Sequence, residues 1–125
     1  MFYKPKVIAI VGSDERKWTP EKERIAKFKI KTLMKNYPYA LFISGECPKG
    51  GIDIWVKEIA YNENKRFKAF PPKQNSWYYY KKRNKQMAEE ADIVIDIEPS
   101  GYTSGGEWTL NYAKLIGKKG FKIII

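Results

Sequence analysis

Glycine and serine follow three of the five apolar runs in this sequence. Gly12-Ser13 comes after the first run, Ser44-Gly45 and then Gly50-Gly51 after the second, and Ser104-Gly105-Gly106 after the fourth. Glycine lets a ligand approach the backbone, and the free amides at the start of the next helix bind anions. A single glycine of this kind is more often a chain turn, but turns alone do not require Gly-Gly before two separate helices. The three positions together predict a site for a phosphate-bearing ligand.

Charged and amide side chains are expected beside the same loops. Arg83, with Asn84 next to it, has the fork geometry that binds a phosphate through two hydrogen bonds, unless it simply faces solvent among neighbouring lysines. Asp53 lies near the start of the second helix, where it would bind sugar hydroxyls or only favour the positive helix end. Glu46 and Glu107 are the candidate catalytic residues, as general acid/base or nucleophile, with a solvent-facing role as the alternative.

The residue types that are missing exclude several chemistries. The 125 residues contain no His and one Cys, Cys47. A zinc cluster and a His-dependent catalytic relay therefore cannot be assembled, any metal would need carboxylates, and no metal site is predicted. No apolar stretch is long enough to span a bilayer and no signal peptide is evident, so we expect a cytoplasmic protein without a membrane partner.

The charge is strongly basic and unevenly distributed. There are 24 Lys and Arg against 14 Asp and Glu, a formal net charge of +10. Residues 65–85 carry eight Lys or Arg and no acid, whereas residues 86–111 carry six acids and no Lys or Arg. This pattern predicts anionic partners such as nucleotides or nucleic acid, or else a solvated lysine-rich surface.

Short apolar segments alternate with amphipathic ones, which predicts alternating strands and helices. The segment 7–11 is apolar on both faces and should be the central strand. Thr19 and Pro20 have the residue types of a helix N-cap and first helical position, and Gly117 and Gly120 should end the last helix. Strands are predicted at 7–11, 40–43, 67–70, 93–97 and 121–125, and helices at 20–36, from 50–51 onward, at 77–90 and at 107–116.

The alternation predicts one α/β domain over residues 1–125, a three-layer sandwich with a five-stranded parallel sheet between helices. A ligand of such a sheet binds at the carboxyl ends of the strands. The loops 12–18, 44–51, 71–76 and 98–106 are expected there. Asp92 should lie at the opposite edge and outside the site.

The order and spacing of these motifs resemble the SLOG superfamily, a Rossmann-like group that includes DprA, the LOG phosphoribohydrolases and the YspA-like and YpsA-like proteins. The likeness is closest to the YspA-type branch, in which Gly-x-Asp follows the second strand and Arg-Asn-x-x-Met precedes the fourth. The motifs that carry it are Gly12-Ser13, Ser44-Gly45, Gly51-Ile52-Asp53, Arg83-Asn84-x-x-Met87 and Ser104-Gly105-Gly106-x-x-Thr109.

The resemblance implies a strand order of 3-2-1-4-5, a pocket for a nucleotide or nucleotide-derived ligand, and a homodimer. It also implies a role for each matched residue. Gly12 and Ser13 would form the floor and Ser44 and Gly45 the wall. Asp53 would touch a sugar or support its loop, Arg83 and Asn84 would meet phosphate or base, and Gly105, Gly106 and Thr109 would cradle phosphate. Gly51 and Ser104 are further expected ligand-binding residues.

The sequence departs from the LOG enzymes at their catalytic segment. Those enzymes resemble one another in a Pro-Gly-Gly-x-Gly-Thr-x-Glu-Glu segment, and here its third glycine is Trp108, with Asn111 near the catalytic carboxylate position. The leading hypothesis is therefore a nucleotide-binding sensor or carrier module. The alternatives are a hydrolase, meaning a nucleotide N-glycosidase or phosphoribohydrolase that uses Glu107 or Glu46, and a single-stranded nucleic-acid-binding protein similar to DprA.

Overall fold

Strand and helix alternate along residues 5–125, the part of the chain that the computed structural model describes. The first four residues of the predicted domain 1–125 lie outside it. A short 3-10 helix, Glu15–Lys17, follows the first strand. The elements are β1 (Val7–Gly12), α1 (Pro20–Asn36), β2 (Leu41–Ser44), α2 (Ile52–Asn62), β3 (Arg66–Ala69), α3 (Trp77–Glu90), β4 (Ile93–Glu98), α4 (Gly105–Leu115) and β5 (Lys119–Ile124).

All five strands are parallel and lie in the order β3-β2-β1-β4-β5, which confirms the predicted fold class and strand order. The strand β1 is central because its apolar residues are buried on both faces of the sheet. Strand order reverses between β2 and β4 on either side of β1. A crevice therefore opens at the carboxyl ends of these strands.

Each face of the sheet is covered by its own pair of helices. On one face, Ile8, Ile10 and Ile95 pack against apolar residues of α1 and α2 such as Ile30 and Val56. The other face packs Ala9, Val11 and Val94 against α3 and α4, chiefly through Met87 and Leu110. None of the helices in residues 5–125 is long and apolar enough to cross a membrane.

Two helix boundaries follow from the expected residue types. The Thr19 hydroxyl accepts a hydrogen bond from the Lys22 amide at 3.2 Å, and Pro20 takes the first helical position of α1. The helix α3 spans the predicted residues 77–90.

Two boundaries near the C-terminus were predicted wrongly. The helix α4 begins at Gly105, not 107, because the Ser104 hydroxyl accepts a hydrogen bond from the Gly106 amide at 3.0 Å and caps the helix there. Gly120 does not end α4 but lies in β5. A Cβ at Gly120 would come within 2.5 Å of Leu110 and 2.8 Å of the Val94 carbonyl. This glycine therefore serves the close packing of α4 on the sheet.

The loop before α2 depends on the backbone freedom of glycine. Gly51 has φ 82° and ψ −146°, a region that only glycine adopts without strain. A Cβ there would lie 2.3 Å from the Ser13 carbonyl oxygen. The same carbonyl accepts hydrogen bonds from the Ile52 amide at 3.2 Å and the Trp18 indole at 3.1 Å. Gly51 thus joins the loops that follow β1 and β2.

Replacing Gly51 should destabilise the protein more than replacing another glycine with positive φ. We expect Gly51→Ala to lower the free energy of unfolding by about 3–5 kcal/mol, from backbone strain and the clash with Ser13 together. Gly117→Ala is the matched control, because Gly117 has φ 86° but nothing lies within 4 Å of its Cβ position. We expect it to cost about 1–2 kcal/mol. Equal losses in urea denaturation would contradict this account of Gly51.

Candidate functional site

A cleft lies at the carboxyl ends of the central strands, where the strand order reverses. Its cavity volume is about 180 Å³. The predicted site residues that line it are Gly12, Asp53, Arg83, Asn84, Ser104, Gly105 and Gly106. Seven further residues line it, namely Val11, Asp14, Cys47, Lys49, Trp77, Tyr80 and Met87. Asp14, Cys47 and Lys49 belong to two of the loops expected at this edge.

Arg83 is the buried cation of this cleft. Only 7% of the residue is exposed, so it does not face solvent as its lysine neighbours do. Its Nη1 donates to the carbonyl oxygens of Gly45 and Phe70, the latter at 3.1 Å, and its Nε donates to Asn84 Oδ1 at 2.7 Å. Gly45 follows β2 and Phe70 follows β3, so the guanidinium joins α3 to the ends of both strands.

Asn84 extends this network to the start of α4. Its Nδ2 donates to the Gly105 carbonyl at 3.5 Å. The hydrogen bonds among the described residues use Nε and Nη1 of Arg83 but not Nη2. Since Arg83 lines the cleft, Nη2 is the part of the guanidinium that can meet an anion there.

Asp53 supports the loop that follows β2. Its carboxylate accepts hydrogen bonds from the Ser44 hydroxyl and the Cys47 amide, each at 3.2 Å. Burial raises the pKa of Asp53, and the nearby Arg83 guanidinium opposes that rise. Gly45 lies between the two charged groups, and a Cβ there would be 2.8 Å from Asp53 Oδ2. The loop-supporting role that the resemblance offered for Asp53 is the one these contacts describe.

A pair of carboxylates beneath the cleft was missed by the sequence analysis. Asp96 and Glu98 are both fully buried, on the face of β4 that packs against α4. The Ser13 and Ser104 hydroxyls each donate to Glu98. Glu98 thereby links the loop after β1 to the N-terminus of α4. The sequence did carry a signal for this pair, because two acids stand at alternating positions of an otherwise apolar strand. Carboxylates are seldom buried without a partner, so two of them on one face of a buried strand indicate a polar cluster.

Asp96 has no hydrogen-bond donor among the described residues, and both of its oxygens are buried. Burial raises the pKa of Asp96 to about 9, and the neighbouring Glu98 carboxylate adds to the rise. The other charged groups near it are Lys122 of β5 and Glu107 of α4, which oppose and reinforce the rise, respectively. At neutral pH Asp96 is therefore protonated and uncharged.

Gly12 and Gly106 form the floor of the cleft directly above Asp96. A Cβ on Gly106 would lie 2.5 Å from Asp96 Oδ1 and 3.0 Å from the Gly12 amide nitrogen. A Cβ on Gly12 would lie 2.1 Å from the Ile97 carbonyl oxygen. Both positions therefore require glycine because β1, β4 and α4 approach one another here without space for a side chain.

Several predicted site residues lie behind the cleft surface and do not line it. Ser13 donates to Glu98, and Ser44 to Asp53. The Thr109 hydroxyl donates to the Gly105 carbonyl at 2.8 Å from within α4 and is fully buried. The Ser13 and Ser44 hydroxyls hold the loops in place, as Gly45 and Gly51 do through their close packing, whereas the Thr109 bond lies within α4.

Glu46 and Glu107, the candidate catalytic residues, also lie outside the cleft lining. Glu46 pairs with Lys57 of α2, and Glu107 lies 3.6 Å from Lys122 of β5. A general acid/base must reach its substrate. The geometry therefore does not favour the catalytic role, which stays an untested prediction.

The outer part of the cleft is aromatic and charged. Trp77 and Tyr80 of α3 line one side, and Asp14 and Lys49 lie in the loops opposite. A hydrogen bond from Arg16 lowers the pKa of Asp14. Among residues 5–125, no group of three or more His, Cys, Asp or Glu side chains is placed to hold a metal ion. The cleft thus combines small residues on its floor with cationic and aromatic groups at its opening.

The solved structures similar to this chain share its fold. The molybdenum cofactor carrier protein of Chlamydomonas reinhardtii superimposes with a TM-score of 0.73 at 11% identity, over 95% of this chain and 76% of that one. The DNA processing protein A of Helicobacter pylori, whose structure concerns single-stranded DNA binding, gives a TM-score of 0.65 at 20% identity. That superposition covers 94% of this chain but 65% of the other, just under two thirds. No model of a known protein family matches the sequence, and no curated protein matches it.

The fold and the cleft define a Rossmann-like α/β protein with its cleft at the switch point of a 3-2-1-4-5 sheet. The likeness to these two structures shows the fold alone, and the SLOG superfamily stays a resemblance of the sequence motifs. The YspA-type branch stays a prediction from the sequence motifs.

Removing the Arg83 guanidinium should destabilise the protein even without a ligand. Arg83→Ala leaves the buried carbonyls of Gly45 and Phe70 without their donor, and we expect the free energy of unfolding to fall by about 2–4 kcal/mol. The exposed neighbour Lys82 is the control, and Lys82→Ala should change the free energy of unfolding by about 0.5 kcal/mol or less. Denaturant titrations measure both, and similar values for the two variants would contradict a structural role for Arg83.

Asp96 should make stability depend on pH. Between about pH 4 and pH 9 the folded state holds a proton on Asp96 that the unfolded state has lost, so stability falls as pH rises across this window. Asp96→Asn keeps the size and cannot ionise. The parent should therefore lose stability relative to Asp96→Asn as the pH rises. We expect the difference in free energy of unfolding, variant minus parent, to grow by roughly 1 kcal/mol for each pH unit from pH 5 to 8. The exposed Glu58→Gln is the control, and parallel pH curves for Asp96→Asn and the parent would contradict a protonated Asp96.

Proposed function

We propose that the cleft binds a nucleotide or nucleotide-derived ligand, and that the protein acts as a sensor or carrier of that ligand. The observation that carries the proposal is the convergence of Gly12, Gly105 and Gly106 on one floor beside the buried Arg83. A floor without side chains exposes backbone amides, and a buried guanidinium attracts an anion to them. Phosphate is the common anionic group that suits both features.

The phosphate end of the ligand would lie at the N-terminus of α4. The Gly105 amide has no partner among the backbone and side-chain hydrogen bonds of the described residues, and the helix dipole adds positive potential there. Arg83 Nη2 and Lys49 supply positive charge from the sides of the cleft. A terminal phosphate could thus be bound by an amide and two cations together.

The aromatic end of the ligand would lie at the cleft opening. Trp77 is 52% exposed and lines the cleft with Tyr80. Aromatic faces in this position suit stacking of a nucleobase or another flat ring. A cavity of about 180 Å³ is smaller than the usual site of a drug-sized ligand. It would therefore enclose the phosphate and part of the sugar, while the base stacks at the surface.

Binding without turnover is favoured by the carboxylates that line the cleft. Asp53 accepts hydrogen bonds from Ser44 and Cys47, and Asp14 forms an ion pair with Arg16 at 3.1 Å. Both carboxylates already accept hydrogen bonds from the protein, and the candidate glutamates lie outside the cleft lining. A carrier role also agrees with the shared fold of a protein described as a molybdenum cofactor carrier. The homodimer and the cytoplasmic location remain predictions from the sequence.

Equilibrium binding to a nucleotide panel tests the proposal. AMP, ADP-ribose, NAD and cyclic dinucleotides are titrated by calorimetry, and at least one should bind with heat saturating at one site. Gly105→Ala should weaken that binding at least about tenfold. The added methyl would enter the cleft, 3.2 Å from Asn84 Nδ2 and 3.5 Å from the Trp77 ring.

Two controls make this result specific. Gly105 has no positive φ, so the alanine variant should change the free energy of unfolding by less than about 1 kcal/mol. Thr103→Val alters an exposed residue of the same loop outside the cleft and should bind as the parent does. Failure of every panel member with folded protein would overturn the proposal, and unchanged binding by Gly105→Ala would place the ligand elsewhere.

A further inference from the structure

A row of lysine and aromatic side chains runs along α3 and α4, and one of its residues, Trp77, also lines the cleft. Trp77, Lys81 and Lys85 follow one another at intervals of four residues on α3, so they share one helix face. Trp108 and Tyr112 are spaced in the same way on α4. We call these five residues the lysine–aromatic ridge. Apart from Trp77, none of them lines the cleft.

The ridge residues of the two helices contact one another. The Trp77 and Trp108 rings meet edge to face with centroids 6.0 Å apart, and Trp108 stacks on Tyr112 at 5.4 Å with an interplanar angle of 3°. Lys81 Nζ lies 5.7 Å from the Trp108 centroid, and Lys85 Nζ lies 5.7 Å from the Tyr112 centroid. Three aromatic rings are therefore in direct contact along this surface, and a lysine ammonium lies over each of two of them, Trp108 and Tyr112.

The ridge begins in the most basic part of the chain, and its rings are at least partly exposed, with Trp108 and Tyr112 half-buried. Trp77 and its neighbour Tyr78 are 52% and 63% exposed, and Lys82 Nζ lies 5.5 Å from the Tyr78 centroid. Residues 65–85 contain eight Lys or Arg and no acid. Glu89, which accepts a hydrogen bond from the Tyr112 hydroxyl at 3.1 Å, limits the positive surface at its far end.

We infer that the lysine–aromatic ridge binds single-stranded nucleic acid. Unpaired bases stack on aromatic side chains, and lysines spaced along the same line neutralise the phosphates between them. Duplex DNA keeps its bases stacked inside and cannot use the rings. An acidic peptide would use the lysines but not the ring faces. Single strands are therefore the class of partner whose chemistry matches both components of the ridge.

The experiment measures fluorescence anisotropy of a labelled oligothymidylate of about 20 nucleotides, longer than a surface of this size would cover. The double variant Lys81→Glu/Lys85→Glu should weaken binding at least about tenfold. It should also lower the slope of log affinity against log salt by about 1.4, the value for two single-strand phosphate contacts. Trp108→Ala should weaken binding about tenfold through lost stacking.

Matched variants elsewhere on the protein distinguish the effect of the ridge side chains from the effect of the net charge. Lys29 and Lys35 are exposed on α1, so Lys29→Glu/Lys35→Glu makes the same change in net charge. Tyr39→Ala removes an aromatic ring that is 74% exposed. Both should bind the oligonucleotide within about threefold of the parent. Because charges on exposed lysines do not hold the core, the lysine variants keep the test valid even if Trp108→Ala unfolds.

Four outcomes would overturn the inference. One is absence of oligothymidylate binding by the folded parent at about 50 mM salt. Another is an equal loss of affinity in the ridge and α1 double variants, which would leave only the net charge as the cause. The third is equal affinity for a duplex of the same length, and the fourth is equally effective competition by polyglutamate. The last two results would mean that the ring faces play no part.

Discussion

The buried guanidinium of Arg83 is the interaction on which the cleft depends. It donates to carbonyl oxygens at the ends of two neighbouring strands and to the side chain of Asn84, which in turn reaches the start of α4. A buried cation is stable only when its hydrogen-bonding groups are satisfied. Here that requirement fixes the loops after β2 and β3 relative to α3. The Nη2 of Arg83 has no hydrogen-bond partner among the described residues, so a ligand in the cleft would complete the set.

The floor of the cleft is set by a second constraint, the close approach of β1, β4 and α4. Gly12 and Gly106 have no space for a side chain, and Asp96 and Glu98 fill the volume beneath them. Burial and the neighbouring Glu98 raise the pKa of Asp96, which favours its uncharged form in this interior. The cleft and the lysine–aromatic ridge meet at Trp77, which lines the first and begins the second. One helix, α3, therefore supplies groups to both surfaces.

Much of the fold followed from local patterns. The apolar runs gave the number and sequence of the strands, and the residue types of Thr19 and Pro20 gave the start of α1. Errors arose where tertiary contacts override the pattern. Gly120 has the residue type of a helix end, but it lies in β5 because Leu110 packs against it. Alternating strands and helices were enough to place the site at the carboxyl edge, since parallel strands all end there.

The sequence by itself determined which loops meet at that edge, because glycine and serine positions at strand ends are visible in it. Only the tertiary structure decided which of those residues face the cleft. Arg83 is buried although lysines surround it in sequence, and Ser13, Ser44 and Thr109 turn toward buried groups. The physical reason is that the orientations of Arg83 and Ser13 depend on partners distant in the chain, Gly45 for Arg83 and Glu98 for Ser13. The burial of Asp96 likewise depends on α4, which the local pattern of β4 does not contain.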